Sequence, residues 1–178
     1  MRYQLAMATD TNTSLRHGIL SDELREDRAQ LIEMLIKAYW MEIETVMSYI
    51  ANSINPEGVR AQEIIESLEG DIQEELGHAR QFGERVKELY GVVPGSLDFQ
   101  AEQAYLQPPD DQIDVVHVIQ GVIEAETGAI EYYTQVIEFC EGKDPVTQDL
   151  VVAILHDEEG HRRLFEGFLR EYKSEGLA

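Results

Sequence analysis

The 178-residue chain carries 35 acidic against 14 basic residues, for a net charge of −21, and 43% of its residues are hydrophobic. That is enough for one well-buried globular domain and too little for two. The acidic excess argues against a nucleic-acid partner and suits a protein that attracts cations, although an acidic surface adapted to high salt has the same charge.

Residues 1–20 read as a flexible N-terminal tail around Thr11-Asn12-Thr13-Ser14, with no secretory apolar segment, and residues 21–178 as one bundle. The pattern predicts helix 1 over Asp22–Ser53, with Ser21 as N-cap and Asn55-Pro56 as the stop. Its inward stripe is Ile32, Leu35, Tyr39, Glu42, Val46, Tyr49 and Ser53, spaced alternately three and four apart. Glu42 is a carboxylate in the middle of that apolar seam. Helix 2 is expected over Val59–Tyr90 with Gly91 as its C′ residue, and its stripe runs Ile64, Leu68, Asp71, Glu75, His78, Phe82, Arg85, Leu89. Residues 91–112 hold Pro94, Gly95, Pro108 and Pro109, so they make no single regular helix; Asp98–Tyr105 can form a short helical turn. A connection this long implies a crossover along the bundle. Helix 3 is expected over Ile113–Glu141, with Ile119, Ile123, Glu126, Ile130, Tyr133, Ile137 and Cys140 inward. Helix 4 starts with Asp144 as N-cap and Pro145 at N1 and runs to about Lys173 through Val151, Ile154, Glu158, His161, Phe165, Phe168 and Tyr172. No strand pattern competes. The fold class is all-α: four long helices with connections that run short, long, short.

The two halves repeat. Glu42 and Glu126 are 84 residues apart, as are Tyr49 and Tyr133, while Glu75 and Glu158 are 83 apart, as are His78 and His161. Around the last pair, Glu75, Gly77, His78, Arg80 and Phe82 match Glu158, Gly160, His161, Arg163 and Phe165 without gaps. Residues three apart on a helix sit about 60° round and ~4.5 Å along the axis, so a Glu and a His so spaced can hold one metal ion. One Glu-x-x-His is commonly a surface accident. Two, in register with two single Glu and two Tyr on apolar stripes, are not. Four buried carboxylates need compensation, and two divalent cations balance them in formal charge. One Glu from each of two helices and Glu-x-x-His from each of the others is the donor set of an all-α carboxylate-bridged dinuclear site. Its mixed oxygen and nitrogen ligands suit iron or manganese, with zinc an in vitro occupant. Tyr49 and Tyr133 are placed to hydrogen-bond the ligand carboxylates across the bundle, or else to be core tyrosines with some other hydroxyl partner.

Other residues read more plainly. Cys140, the single cysteine, excludes an intrachain disulfide framework, fits a reducing cytoplasm, and reads as a small core hydrophobe. No apolar run approaches the ~20 residues of a membrane helix. His17, His117 and His156 lack partnered spacing. Asp71, one turn before Glu75, can steer cations inward or simply be solvated. Trp40 lies off the ligand stripe and serves packing or a subunit contact.

From about Leu31 to Tyr172 the chain resembles the ferritin-like superfamily, and within it the bacterioferritins and Dps-like mini-ferritins. The likeness is strongest in Ile154-Leu155-His156-Asp157-Glu158-Glu159-Gly160-His161, which is similar to the last-helix motif of bacterioferritins. Gly142-Lys143-Asp144-Pro145-Val146-Thr147 is similar to the helix 3–4 junction of Dps-like proteins. The resemblance implies a ferritin-like four-helix bundle with a long crossover between helices 2 and 3. It implies two iron ions bridged by Glu75 and Glu158, with Glu42 and Glu126 as terminal ligands and His78 and His161 on one metal each. It also implies a ferroxidase that oxidises Fe(II) with O2 or H2O2, in a homo-oligomeric iron-storage cage. The short segment after Tyr172 leans towards a 12-mer shell over a 24-mer.

The departures narrow this. Leu76 stands where bacterioferritins place a haem-ligating Met, so no haem is expected. Gly128 stands where a second Cys would partner Cys140 in some Dps-like relatives. Ala129 replaces the additional Glu of rubrerythrins, which weakens the alternative of a non-storing di-iron or di-manganese peroxidase, catalase or oxygenase. The acidic charge weakens a DNA-binding role.

Overall fold

The structure is a computed structural model and describes residues 18–178. It contains four long helices: α1 (Arg25–Ile54), α2 (Ala61–Glu88), α3 (Val115–Cys140) and α4 (Pro145–Ser174), with no strand among the described residues. The all-α, four-helix expectation holds. His17 and most of the expected tail lie outside the described residues. Ile19, which was assigned to that tail, is buried in the core at 4% exposure.

Two apolar clusters fill the bundle and fix the helix directions. One joins Leu31, Leu35 and Ala38 of early α1 to Phe82 and Val86 of late α2, Val136 and Cys140 of late α3, and Val151 and Ile154 of early α4. The other joins Tyr49 of late α1 to Ile64 and Leu68 of early α2, Val118, Ile119 and Val122 of early α3, and Phe165 of α4. Hence α1 and α4 run one way, α2 and α3 the other. Two short connections make antiparallel hairpins, and the parallel α2–α3 pair requires a connection the length of the bundle.

That crossover is clipped to α1 and α3. The Glu44 carboxylate, itself buried, accepts from the backbone N–H groups of Glu102 (2.9 Å) and Gln103 (2.7 Å), and Asn52 Nδ2 donates to the Leu106 carbonyl at 2.8 Å. Trp40 packs its ring 5.4 Å from Phe99, and so its role within the chain is to hold the crossover. Gly121 leaves room for the same segment: a Cβ there would sit 2.8 Å from the Tyr105 carbonyl oxygen.

Several local expectations are corrected. Ser21 does not cap α1, which begins at Arg25 without a side-chain cap; the Ser21 and Ile19 carbonyls instead accept from the buried Arg28 guanidinium. Val59 is 97% exposed and precedes α2. The C′ residue of α2 is Tyr90, at φ 67°, and Gly91 is one position later. Gly91 N–H reaches the Val86 carbonyl at 2.8 Å and Tyr90 N–H the Lys87 carbonyl at 3.1 Å, the paired bonds of a Schellman motif. Glycine is needed at 91 for space, since a Cβ would lie 2.8–2.9 Å from Val86 and Ile32 methyls. The expected turn over Asp98–Tyr105 is two short 3-10 turns, Ser96–Asp98 and Ala104–Leu106. On α3 the deepest stripe is Val122, Glu126, Ala129, Tyr133, Val136 and Cys140, with Ile123, Ile130 and Ile137 half-buried at its margin. The stripe is turned because α3 packs on α1 and the crossover as well as on α4.

Candidate metal centre

Between the two apolar clusters lies a polar layer. Glu42 on α1, Glu75 and His78 on α2, Glu126 on α3, and Glu158 and His161 on α4 are each 8% exposed or less. Long amphipathic helices bring them there. Each belongs to its helix's inward stripe, so burying the apolar residues above and below also buries the ligand candidates. They fall into two overlapping groups of four: Glu42, Glu75, His78 and Glu158, then Glu75, Glu126, Glu158 and His161. In each group one donor atom per residue lies within 4.8 Å of all the others. Glu75 and Glu158 belong to both groups, and the remaining four divide evenly.

The imidazoles face inward through Nδ1. His78 Nδ1 lies 3.3 Å from Glu75 Oε2 and 3.2 Å from Glu158 Oε1; His161 Nδ1 lies 3.4 Å from Glu75 Oε1 and 3.3 Å from Glu158 Oε2. Yet Glu75 Oε1, both Glu158 carboxylate oxygens and His161 Nδ1 are buried without a well-formed hydrogen bond. Buried polar atoms seldom go unpartnered. Here several do, side by side, within the two groups. That is the demand two cations would meet, and the donor set fits them.

Two further layers hold these candidate ligands. The Tyr49 hydroxyl donates to Glu126 Oε1 and the Tyr133 hydroxyl to Glu42 Oε1, so each tyrosine serves the single Glu of the opposite half. Both tyrosines are fully buried. On the outer side of the imidazoles, His78 Nε2 pairs with Asp157 Oδ2 at 3.3 Å and His161 Nε2 with Glu74 Oε2 at 3.0 Å. Sequence reasoning missed Glu74 and Asp157. The signal was present, since Glu74-Glu75 and Asp157-Glu158 occupy the same place in the repeat. Each acidic residue preceding a shared Glu pairs with the histidine of the other motif.

Without metal, protons balance the layer. Burial, with Glu75 and Glu158 nearby, pushes Glu42 and Glu126 well above the usual carboxylate range. Burial alone would also raise Glu75, but His161, His78 and Glu42 beside it outweigh that and hold it low. Burial would lower the two histidines, yet Glu158 and Glu75 win and raise His78 to about 10 and His161 to about 12. Both tyrosines are raised too, by burial first and by the facing carboxylates second. A cation entering this layer would therefore displace protons, and its affinity would rise with pH.

Other candidates stay outside. His117 Nε2 contacts the Gln107 carbonyl, and His156 is exposed on α4. Cys140 is 1% exposed, and burial pushes its thiol up to about 11, as expected of a core hydrophobe. No helix among the described residues is long and apolar enough to cross a membrane.

The comparisons agree with this architecture. A DNA protection during starvation protein from Pyrococcus furiosus is 33% identical over 148 residues, covering 80% of this chain and 78% of that one. A bacterioferritin from Desulfovibrio desulfuricans is 28% identical over 154 residues, covering 85% and 82%. A solved structure of the Desulfovibrio desulfuricans bacterioferritin, described with its diiron site in different catalytic states, superposes with a TM-score of 0.72 at 25% identity, over 84% of this chain and 83% of that one. Residues 32–174 match the family model of the ferritin-like domain, and with them the chain belongs to the ferritin-like family.

Proposed function

We propose that the chain is a ferroxidase subunit of a homo-oligomeric iron-storing cage. The observation that carries this reading is the sharing of Glu75 and Glu158 between two four-residue groups, which supports two adjacent cation positions with both carboxylates in common. Two ferrous ions are the substrate. Glu42 and His78 would complete one position, and Glu126 and His161 the other. Each iron gives up one electron; the pair goes to H2O2, which with two protons becomes water, or to O2, which with two protons becomes H2O2. The protein's part is to fix the spacing, neutralise the carboxylates and exclude bulk water. Tyr49 and Tyr133 hold Glu126 and Glu42 while iron enters and leaves. The wider acidic charge favours ferric product staying inside a shell, and it opposes direct DNA contact. The relatives named for bacterioferritin and DNA protection support the storage reading over a non-storing oxidase.

Aerobic Fe(II) loading followed by iron analysis and native mass tests it. Storage predicts iron per chain far above the two ions of the centre, on a large oligomer, and about two per chain on a small oligomer overturns it. Glu158→Ala and His161→Ala should slow Fe(II) oxidation by about a hundredfold or more. Unchanged oxidation in both would remove the dinuclear assignment.

A further inference from the structure

We propose that the cavity between α1, the crossover and α3 is a binding site for a small organic cation with an aromatic or apolar body. The cavity measures about 960 Å3, within the range of small-molecule sites. Trp40 walls it from α1, Tyr132 from α3 and Tyr105 from the crossover, and Ile36 and Met41 add apolar surface. The Tyr132 wall is set from within the chain, since its hydroxyl donates to the Met34 carbonyl at 3.1 Å. A second recess of about 500 Å3 continues the cavity along α3, sharing Tyr105, Gly128 and Glu131 with it. No residue of the dinuclear layer lines either space, so the site does not rest on the ferroxidase reading.

Gly128 keeps the two spaces joined. Beyond its own helix, the only atom within 4 Å of a Cβ placed there would be the Tyr105 hydroxyl oxygen, at 3.8 Å. Gly121 differs, because a Cβ there would meet the Tyr105 carbonyl oxygen at 2.8 Å. Packing therefore permits a side chain at 128, and a glycine inside a helix costs stability relative to alanine. What a side chain at 128 would remove is the passage between the two spaces.

Walls and rim define the ligand class. Glu33, Asp98, Glu102, Glu124 and Glu131 are exposed around the two spaces, against one base, Lys37. Glu44 also lines the cavity, but the backbone N–H groups of Glu102 and Gln103 already occupy its carboxylate. Lys37 lies over the Tyr132 ring, 4.7 Å from its centroid, so the cavity already seats one cation on an aromatic face. Aromatic walls under an acidic rim favour an amine or guanidinium on a flat apolar body, and they repel anions. A hydrated metal ion would have no use for such walls.

Proflavine, a planar aromatic cation, is the probe, and anilinonaphthalene sulfonate, a planar aromatic anion, is its control. Trp40 is the single tryptophan of the chain, so its emission reports occupancy of the cavity. The titration uses the assembled protein in about 0.5 M salt, which screens the exposed carboxylates. Wild type should bind proflavine saturably with a change in Trp40 emission, and the sulfonate about tenfold or more weakly. Gly128→Leu, which fills the passage with a better helix former, should weaken proflavine about tenfold or more. Glu131→Gln, an exposed change that keeps the shape, should weaken it several-fold. Proflavine binding that leaves Trp40 emission unchanged overturns the proposal, and a second copy closing over the cavity would give that result. Equal affinity in Gly128→Leu and wild type overturns it too, as does equal binding of the sulfonate. Should Gly128→Leu misfold, Glu131→Gln decides: weaker binding supports the site, and unchanged binding overturns it.

Discussion

On the proposed reading, Asp157 and Glu74 would act on a bound metal through another residue. Each takes the outer nitrogen of a histidine whose inner nitrogen faces the shared carboxylates. A carboxylate on Nε2 fixes the tautomer that leaves Nδ1 free for metal and makes that nitrogen more basic. Asp157 is the cleaner test, because its side chain is 46% exposed and its only partner at the centre is His78. Asp157→Asn should leave the fold intact and weaken metal binding at the centre about 10- to 100-fold, read as Mn2+ or Co2+ affinity by calorimetry. An unchanged affinity would make the Asp157 contact a surface pairing with no bearing on the site. The six inward ligand candidates were legible because metal chemistry demands particular residue types and a helix imposes a period on them. Asp157 and Glu74 were overlooked because an acidic residue on a chain with 35 of them carries little signal alone, and only the fold shows which imidazole it meets.

At the scale of the helices, the α3–α4 junction is where local sequence and tertiary structure agree most fully. Asp144 accepts from the N–H groups of Val146 and Thr147, with Pro145 at the first helical position, as the sequence indicates. The sequence did not reveal its second task. Arg85, 9% exposed on the inward stripe of α2, places Nη2 2.9–3.0 Å from both Asp144 oxygens and Nε 2.7 Å from Thr147 Oγ1. A cap residue is chosen by local backbone, but its ion-pair partner 59 residues away is set by how α2 lies on α4. The misplaced ends of α1 and α2 have the same origin. Ser21 reads as a cap, and Arg28 claims its carbonyl instead; Gly91 reads as the left-handed residue, yet Tyr90 adopts that conformation while Ile32 and Val86 leave no room for a side chain at 91. Asp144→Ala strands a buried guanidinium and removes a cap. It should cost about 3–5 kcal/mol at pH 7, less whatever Glu88 recovers by its own bond to Arg85. Burial would raise the Asp144 carboxyl, but Thr147 and Arg85 outweigh it and hold it below its ordinary value. Its contribution is thus complete above the unfolded value of about 3.9 and disappears as pH falls through the lower folded value. Denaturant unfolding of wild type and Asp144→Ala should therefore show a gap that narrows in acid. A gap constant from neutral pH down to about 2 would assign the loss to the cap alone.

Across the whole molecule, the core is interrupted by one polar layer between two apolar clusters. Apolar packing closes both ends of the bundle, and the layer between them holds four carboxylates and two imidazoles that bare side chains satisfy poorly. A continuous apolar seam through that layer would often make an equally or more stable bundle, and on the proposed reading the interruption is stability given up for a site. Cations that fill the layer should return it. A ligand that binds only the folded state at a hundredfold excess over its Kd adds about 2.7 kcal/mol. For a chain of this size that raises the unfolding temperature by on the order of 5–10 °C. The expectation is a metal-dependent Tm in wild type, measured with Mn2+ or Co2+ under anaerobic conditions at pH 7. Glu158→Ala, which loses a carboxylate common to both positions, should abolish most of the increment. A gain that survives in Glu158→Ala would locate the stabilising cations on the acidic surface. A gain absent from wild type would mean that the polar layer is satisfied by its own protons and was not built to hold metal.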